Sequence, residues 1–158
     1  MVASATISVR PTLRGHPSQT VSFTLCFFPQ TPGSFPMRTW TFQSAGSLLF
    51  GRDSIDQLAD IAGGLGAKRV FIITDAILEK AGIVEKVRGR LKGTTLDAFH
   101  VGSPEPSVEI VRNATAQARA FQPDAVLGLG GGSNMATAKL VALVLARGGD
   151  ATDYTGDC

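Results

Sequence analysis

The chain has 158 residues, 44% of them hydrophobic, and a formal net charge of +2. That length fits roughly one domain of about 100–200 residues, and so small a charge gives no ground for a nucleic-acid partner. The longest apolar stretch, residues 140–146, is well short of a membrane helix, which needs ~20 apolar residues. Two cysteines, Cys26 and Cys158, do not make a disulfide framework, so a reducing, cytoplasmic setting is expected.

Residues 1–36 contain no Asp or Glu, and they hold Arg10, Arg14, five prolines and many Ser and Thr. This composition admits a transit peptide, a disordered leader or tail, or an upstream start that precedes a natural one at Met37. With no amphipathic helix in view, the disordered reading is preferred for residues 1–36, and the domain is expected over residues 37–158.

From residue 39 the pattern turns regular. Residues 39–42 and 47–50 read as a short β-hairpin. Asp53, with Asp56 three residues on, has the form of a capping box for a helix carrying Leu58, Ile61, Ala62 and Leu65, and Gly66 fits its C-terminal end. Residues 70–74 form a continuous apolar run, as in a strand covered on both faces. Lys68 and Arg69 before it have the look of a solvated loop pair. Residues 76–92 have helical spacing, in two pieces broken at Gly82, and residues 96–101 read as the next strand. Ser107 is an N-cap candidate for a helix marked by Val108, Val111, Ala114, Ala118 and Phe121, which Pro123 closes. A strand then runs to Leu129. Met135, Ala138, Val141, Ala142 and Leu145 mark the last helix. Strand-helix alternation of this kind means parallel βαβ units and a layered α/β sheet. The fold expected is therefore α/β, doubly wound and mainly parallel, preceded by the hairpin.

The connection before the last helix carries the chemistry. Gly128-Leu129-Gly130-Gly131-Gly132-Ser133 puts bare backbone N–H groups at the positive end of a helix, which suits a phosphate. Glycine leaves no Cβ to block a close approach. The competing account is a tight turn that needs glycine for packing alone. Ser133 is expected to cap the helix and to donate to an anion, although its capping-box partner position holds Ala136. Lys139, two turns in, can reach a ligand or lie solvated. Asp75 follows a strand at the carboxyl edge, where such sheets bind ligands. It can accept hydroxyl hydrogens from a ribose and repel a 2′-phosphate, or it can simply cap the next helix. His16 and His100 have no second ligand at metal spacing.

These stretches together resemble the N-terminal domain of the iron-containing alcohol dehydrogenases over about residues 37–158. The resemblance is carried by Phe50-Gly51, by Gly66-Ala67-Lys68-Arg69 leading into Ile72-Ile73-Thr74-Asp75, and by Ala81-Gly82-Ile83. Pro104-Glu105-Pro106-Ser107, Asp124-Ala125-Val126 and Gly130-Gly131-Gly132-Ser133-Asn134-Met135 with Ala138-Lys139 complete it. The resemblance implies a Rossmann-like domain binding NAD, with NADP less favoured, and hydride transfer between an alcohol or aldehyde and that cofactor. It places Gly131, Gly132 and Ser133 on the pyrophosphate-binding turn and Asp75 at the adenosine ribose, with Gly130 and Lys139 as further cofactor-binding candidates. It also implies iron or zinc, held by an Asp and three His of a later helical domain. No residue here corresponds to those ligands, so the chain is expected to be truncated before that domain and not catalytic alone. The family motif carries an Asp where this chain has Ala136. A homo-oligomer stays open. So do a non-catalytic nucleotide-binding fragment or decayed paralogue, and a relative of glycerol dehydrogenase or dehydroquinate synthase.

Overall fold

The computed structural model describes residues 3–9, 24–27, 40–43, 47–102 and 107–154. Four strands come first, β1 (Ala3–Val9), β2 (Thr24–Phe27), β3 (Trp40–Gln43) and β4 (Ser47–Phe50). A 3-10 turn, Ser54–Gln57, leads into α1 (Leu58–Gly64). Strands and helices then alternate: β5 (Arg69–Thr74), α2 (Ala76–Lys80), α3 (Ile83–Arg90), β6 (Thr95–His100), α4 (Val108–Phe121), β7 (Ala125–Gly130) and α5 (Gly132–Arg147). A second 3-10 turn, Ala151–Tyr154, follows. The strands join in one sheet with the order β3-β4-β2-β1-β7-β5-β6.

β5 pairs parallel with β6 on one side and with β7 on the other. Its apolar run is buried on both faces because helices lie on both. Val70, Ile72 and Leu127 pack with Leu58 of α1 and with Val84 and Val87 of α3. Phe71, Ile73 and Val126 point the other way, onto Val111 and Ala114 of α4 and Ala138 and Val141 of α5. Successive strand residues alternate faces, so an uninterrupted apolar strand serves two cores at once. This is the doubly wound α/β arrangement expected, with its parallel part formed by β6, β5 and β7.

Three antiparallel pairs and one further parallel pair, β2 with β4, extend that parallel centre. β3 and β4 form the expected hairpin, with Trp40 opposite Phe50 and Gln43 opposite Ser47. β1 runs antiparallel to β7, from Ser4 opposite Gly130 to Val9 opposite Ala125, and β2 runs antiparallel to β1. Residues 3–9 and 24–27 are thus strands inside the stretch whose composition suggested a disordered leader or tail. The reason is visible in the order of residues rather than in their kinds. Ala3, Ala5, Ile7 and Val9 alternate with Ser4, Thr6 and Ser8, the period of a strand.

Several local expectations meet the backbone directly. Gly66 lies at φ 66 just past α1, and Gly66 and Ala67 return hydrogen bonds to the carbonyls of Gly63 and Ala62. Gly82, at φ 72, divides α2 from α3. Ser107 Oγ accepts from the Ile110 N–H at 3.2 Å and caps α4. Asp53 departs from expectation. It sits in the left-handed region at φ 56 and its side chain makes no cap bond. Asp56 instead accepts from Arg90 at 2.6 Å, which ties the 3-10 turn to α3. Arg69 is no idle loop cation either. Its guanidinium stacks 4.6 Å from the Phe121 ring and donates to the last carbonyls of α4. A cation there complements the negative end of the helix.

Asp150 closes the far end of α4 by accepting two hydrogen bonds from Arg112, at 2.8 and 2.9 Å. The Arg112 guanidinium beside it holds the Asp150 carboxyl well below the usual carboxylate range. A carboxyl whose folded pKa is depressed stabilises the fold above its unfolded pKa, and loses that contribution as the pH falls through the folded value. Asp150→Asn is therefore expected to lose less stability than the unsubstituted chain between about pH 5 and about pH 2, measured by urea midpoints across the series. In the core, Phe71→Ala is expected to cost about 3–5 kcal/mol at neutral pH. Ile77→Ala, at an exposed site, should stay within about 0.5 kcal/mol in the same denaturation experiment.

Candidate functional site

The crossover from β5 to β6 passes through α2 and α3 on one face of the sheet. The crossover from β6 to β7 passes through α4 on the other. Because β5 and β7 are neighbours, their outgoing connections diverge and leave a crevice beyond their carboxyl ends. That reversal point is where open α/β sheets bind ligands. Here it forms a cleft of about 380 Å³, walled by Asp75, Ala76 and Ile77 on the β5 side and by Gly131, Ser133 and Asn134 on the β7 side. Val101 donates its N–H to the Thr74 carbonyl at 2.7 Å, which brings Val101 and Gly102 to the rim.

The glycine turn divides into positions with different reasons for glycine. A Cβ on Gly128 would lie 2.8 Å from the Ala138 Cβ, so this glycine lets α5 lie close on β7. Gly130 has φ 138, and a Cβ there would come within 2.0 Å of Asn134 Nδ2 and 2.9 Å of a Leu78 methyl. For these two, the packing account of the turn is right. Gly131 and Gly132 differ. A Cβ on either would meet nothing within 4 Å, and Gly131 has the ordinary extended backbone φ −79, ψ −171. Neither fold nor conformation demands glycine at these two positions. Their bare surface faces open space at the start of a 16-residue helix.

Gly131, not Ser133, is the N-cap of α5, no side chain caps it, and the first turn holds no acid. Ser133 falls inside the first turn, so the capping-box comparison with Ala136 does not apply. Its carbonyl accepts from Thr137 Oγ1 at 2.8 Å. The first N–H groups of any α-helix have no intrahelical carbonyl to meet, and the helix dipole adds a positive potential at the same place.

Asp75 faces this helix start across the cleft. Its Oδ1 accepts from the N–H groups of Ile77 and Leu78, both at 3.0 Å, and so caps α2. Its Oδ2 accepts from Asn134 Nδ2 at 2.7 Å, across 59 residues of sequence. Of the residues singled out from sequence, Asp75, Gly131 and Ser133 share the cleft wall, Gly130 and Gly132 lie in the same turn, and Lys139 is exposed on α5 outside the wall. His100 pairs with Glu79 at 2.6 Å. His16, Cys158 and Pro104-Glu105-Pro106 lie outside the described residues.

Sequence reasoning missed Asn134 and Ile77. Asn134 is 3% exposed, with its amide also donating to the Leu129 carbonyl at 2.9 Å. A short amide directly after the glycine turn was the available signal. Ile77 is a large apolar side chain left 67% exposed beside the cleft. An isoleucine in the first turn after Asp75, outside the apolar stripe, was its signal. Among the described residues, no group of three His, Cys, Asp or Glu side chains could hold a metal ion, and no helix is long and apolar enough to cross a membrane.

Comparison with known proteins places this arrangement. The sequence model of a family described as iron-containing alcohol dehydrogenase matches residues 45–157. Long-chain-alcohol dehydrogenase 1 of Geobacillus thermodenitrificans strain NG80-2 is 38% identical over 106 residues, covering 66% of this chain and 27% of that protein. The NAD-dependent methanol dehydrogenase of Bacillus methanolicus is 33% identical over 110 residues, covering 68% of this chain and 29% of that protein. The crystal structure of sulfoacetaldehyde reductase from Bifidobacterium kashiwanohense in complex with NAD+ superposes with a TM-score of 0.63 at 25% identity, covering 69% of this chain and 30% of that one. The chain thus spans less than a third of the length of these relatives.

The two classes of glycine make a stability prediction. Gly130→Ala is expected to destabilise the chain by about 2 kcal/mol or more, through a strained φ and a collision with Asn134. Gly131→Ala, which loses only the N-cap preference for glycine, is expected to stay within about 1 kcal/mol of the unsubstituted chain, both read from urea unfolding.

Proposed function

The chain belongs to the iron-containing alcohol dehydrogenase family, and we propose that it is the dinucleotide-binding portion of an enzyme that transfers a hydride between an alcohol or aldehyde and NAD. The observation that carries the proposal is the pair Gly131 and Gly132, glycines that neither packing nor backbone conformation requires. A cofactor pyrophosphate is the group whose close approach gives them a reason. The N–H groups of the first turn of α5 would hold its oxygens, with the helix dipole adding to the attraction.

Asp75 supports NAD over NADP in this reading. A carboxylate at the ribose accepts a hydroxyl hydrogen and repels a 2′-phosphate. Ile77 and Val101 give the cleft an apolar side against which a flat base can rest. The bound cofactor supplies the hydride chemistry, and these residues bind and orient it. The iron that the family name implies finds no fitting cluster among the described residues. The role argued for this portion is therefore cofactor binding, with the alcohol or aldehyde substrate assigned to the whole enzyme. A cytoplasmic setting belongs to the same reading.

Titration of the chain with NADH, followed by nucleotide fluorescence, is the direct test. Gly131→Val is expected to weaken binding by roughly tenfold or more, about 1.4 kcal/mol, while leaving the unfolding midpoint nearly unchanged. NADPH is expected to bind at least about tenfold more weakly than NADH, a gap that Asp75→Ser narrows. Equal NADH affinity in the folded Gly131→Val variant would remove the turn from the site.

A further inference from the structure

Asn134 is a buried polar residue that cofactor binding at the glycine turn leaves without a task. Both hydrogens of its amide are engaged, one to Asp75 Oδ2 at 2.7 Å and one to the Leu129 carbonyl at 2.9 Å. Both partners are acceptors, so the amide nitrogen must be the atom that faces them. The amide oxygen is then the polar atom of this side chain left for the cleft that Asn134 lines.

Counting acceptor positions on Asp75 shows why that oxygen matters. A carboxylate offers about four lone-pair positions, two on each oxygen. Oδ1 receives two N–H groups, from Ile77 and Leu78, and is saturated. Oδ2 receives one, from Asn134, and keeps one position. Asp75 alone can therefore accept a single further hydroxyl without giving up the cap of α2. A vicinal diol brings two hydroxyls.

We propose that Asn134 is the second half of the diol reader, with Asp75 Oδ2 accepting one ribose hydroxyl and Asn134 Oδ1 accepting its neighbour. The inference rests on the cleft being the dinucleotide site proposed above. It assigns Asn134 two jobs through one amide. The nitrogen positions the Asp75 carboxylate, and the oxygen contacts the sugar. The same pairing strengthens rejection of a 2′-phosphate, which would meet a carboxylate and an amide oxygen, both acceptors. It also gives Gly130 its reason, since a Cβ there would displace the amide nitrogen that holds the pair together.

The test uses the 158-residue chain and three probes, ADP, 2′,3′-dideoxy-ADP and inorganic pyrophosphate, with affinities from calorimetry. Each hydroxyl hydrogen bond is worth roughly threefold to tenfold, so the unsubstituted chain should prefer ADP over dideoxy-ADP by about thirtyfold. In Asn134→Leu, a near-isosteric apolar side chain, that ratio should fall to about threefold to tenfold, with pyrophosphate affinity unchanged. A ratio in Asn134→Leu equal to that of the unsubstituted chain would overturn the inference. Should Asn134→Leu fail to fold, 2′-deoxy-ADP and 3′-deoxy-ADP decide on the unsubstituted chain. Two acceptors predict that each deoxy probe loses affinity by a similar factor, whereas loss confined to one of them overturns the pair. Pyrophosphate and ADP both failing to bind would instead sink the dinucleotide site itself. Pyrophosphate binding without discrimination between ADP and dideoxy-ADP would sink only the diol reader.

Discussion

One side-chain amide holds the two halves of the cleft in register. Asn134 donates to the Asp75 carboxylate and to the Leu129 carbonyl, and so fastens the end of β5 to the end of β7. Parallel strands are already fixed side by side by their ladder, but the residues just beyond a ladder are not. At a reversal of crossovers the two connections leave in opposite directions, and without a cross-link their spacing would depend on loop conformation. The buried amide removes that freedom. A carboxylate and a helix start are thereby held face to face.

The glycines around this amide follow from it and from the helix beside it. Gly128 allows α5 to approach β7, and Gly130 leaves room for the Asn134 nitrogen. Both glycines are therefore structural. Gly131 and Gly132 have no neighbour that would collide with a side chain, and Gly131 lines the cleft. A single glycine-rich run thus contains, in adjacent residues, glycines that packing requires and glycines that it does not. The two differ in kind, since an added methyl group meets packed atoms in the first and open space in the second.

Support for the site extends through the sheet. β7 is hydrogen-bonded on both edges, antiparallel to β1 and parallel to β5, so the strand that delivers the turn is itself internal. At the opposite end, the Asp124 carboxylate accepts from the N–H groups of Lys68 and Arg69, which pins the start of β5 to the start of β7. The two strands that carry the cleft are therefore fixed at both ends, by a carboxylate at one and an amide at the other. A rigid frame of this kind keeps the distance between Asp75 and the helix start nearly constant before any ligand arrives, which lowers the ordering cost of binding.

Much of this architecture was legible in the sequence because the signals are local. The apolar run Val70–Ile73 announces a strand buried on both faces, Gly82 and Ser107 mark helix boundaries, and the glycine run after Leu127 marks the connection from β7 into α5. Each depends on residues within a few positions of one another. β1 was also written there, in the alternation of residues 3–9, but the composition of the surrounding segment obscured it. The capping roles of Asp53 and Ser133 were misread for another reason. A residue type that favours a cap does not fix the dihedral angles that place it there. What only the tertiary structure decided are the contacts made across long separations. They include the meeting of Asp75 with Asn134, the choice of which glycines serve packing, and the pairing of β1 with β7. Periodicity reports on neighbours along the chain, whereas a hydrogen bond spanning 59 residues exists only once the sheet has brought its strand ends together.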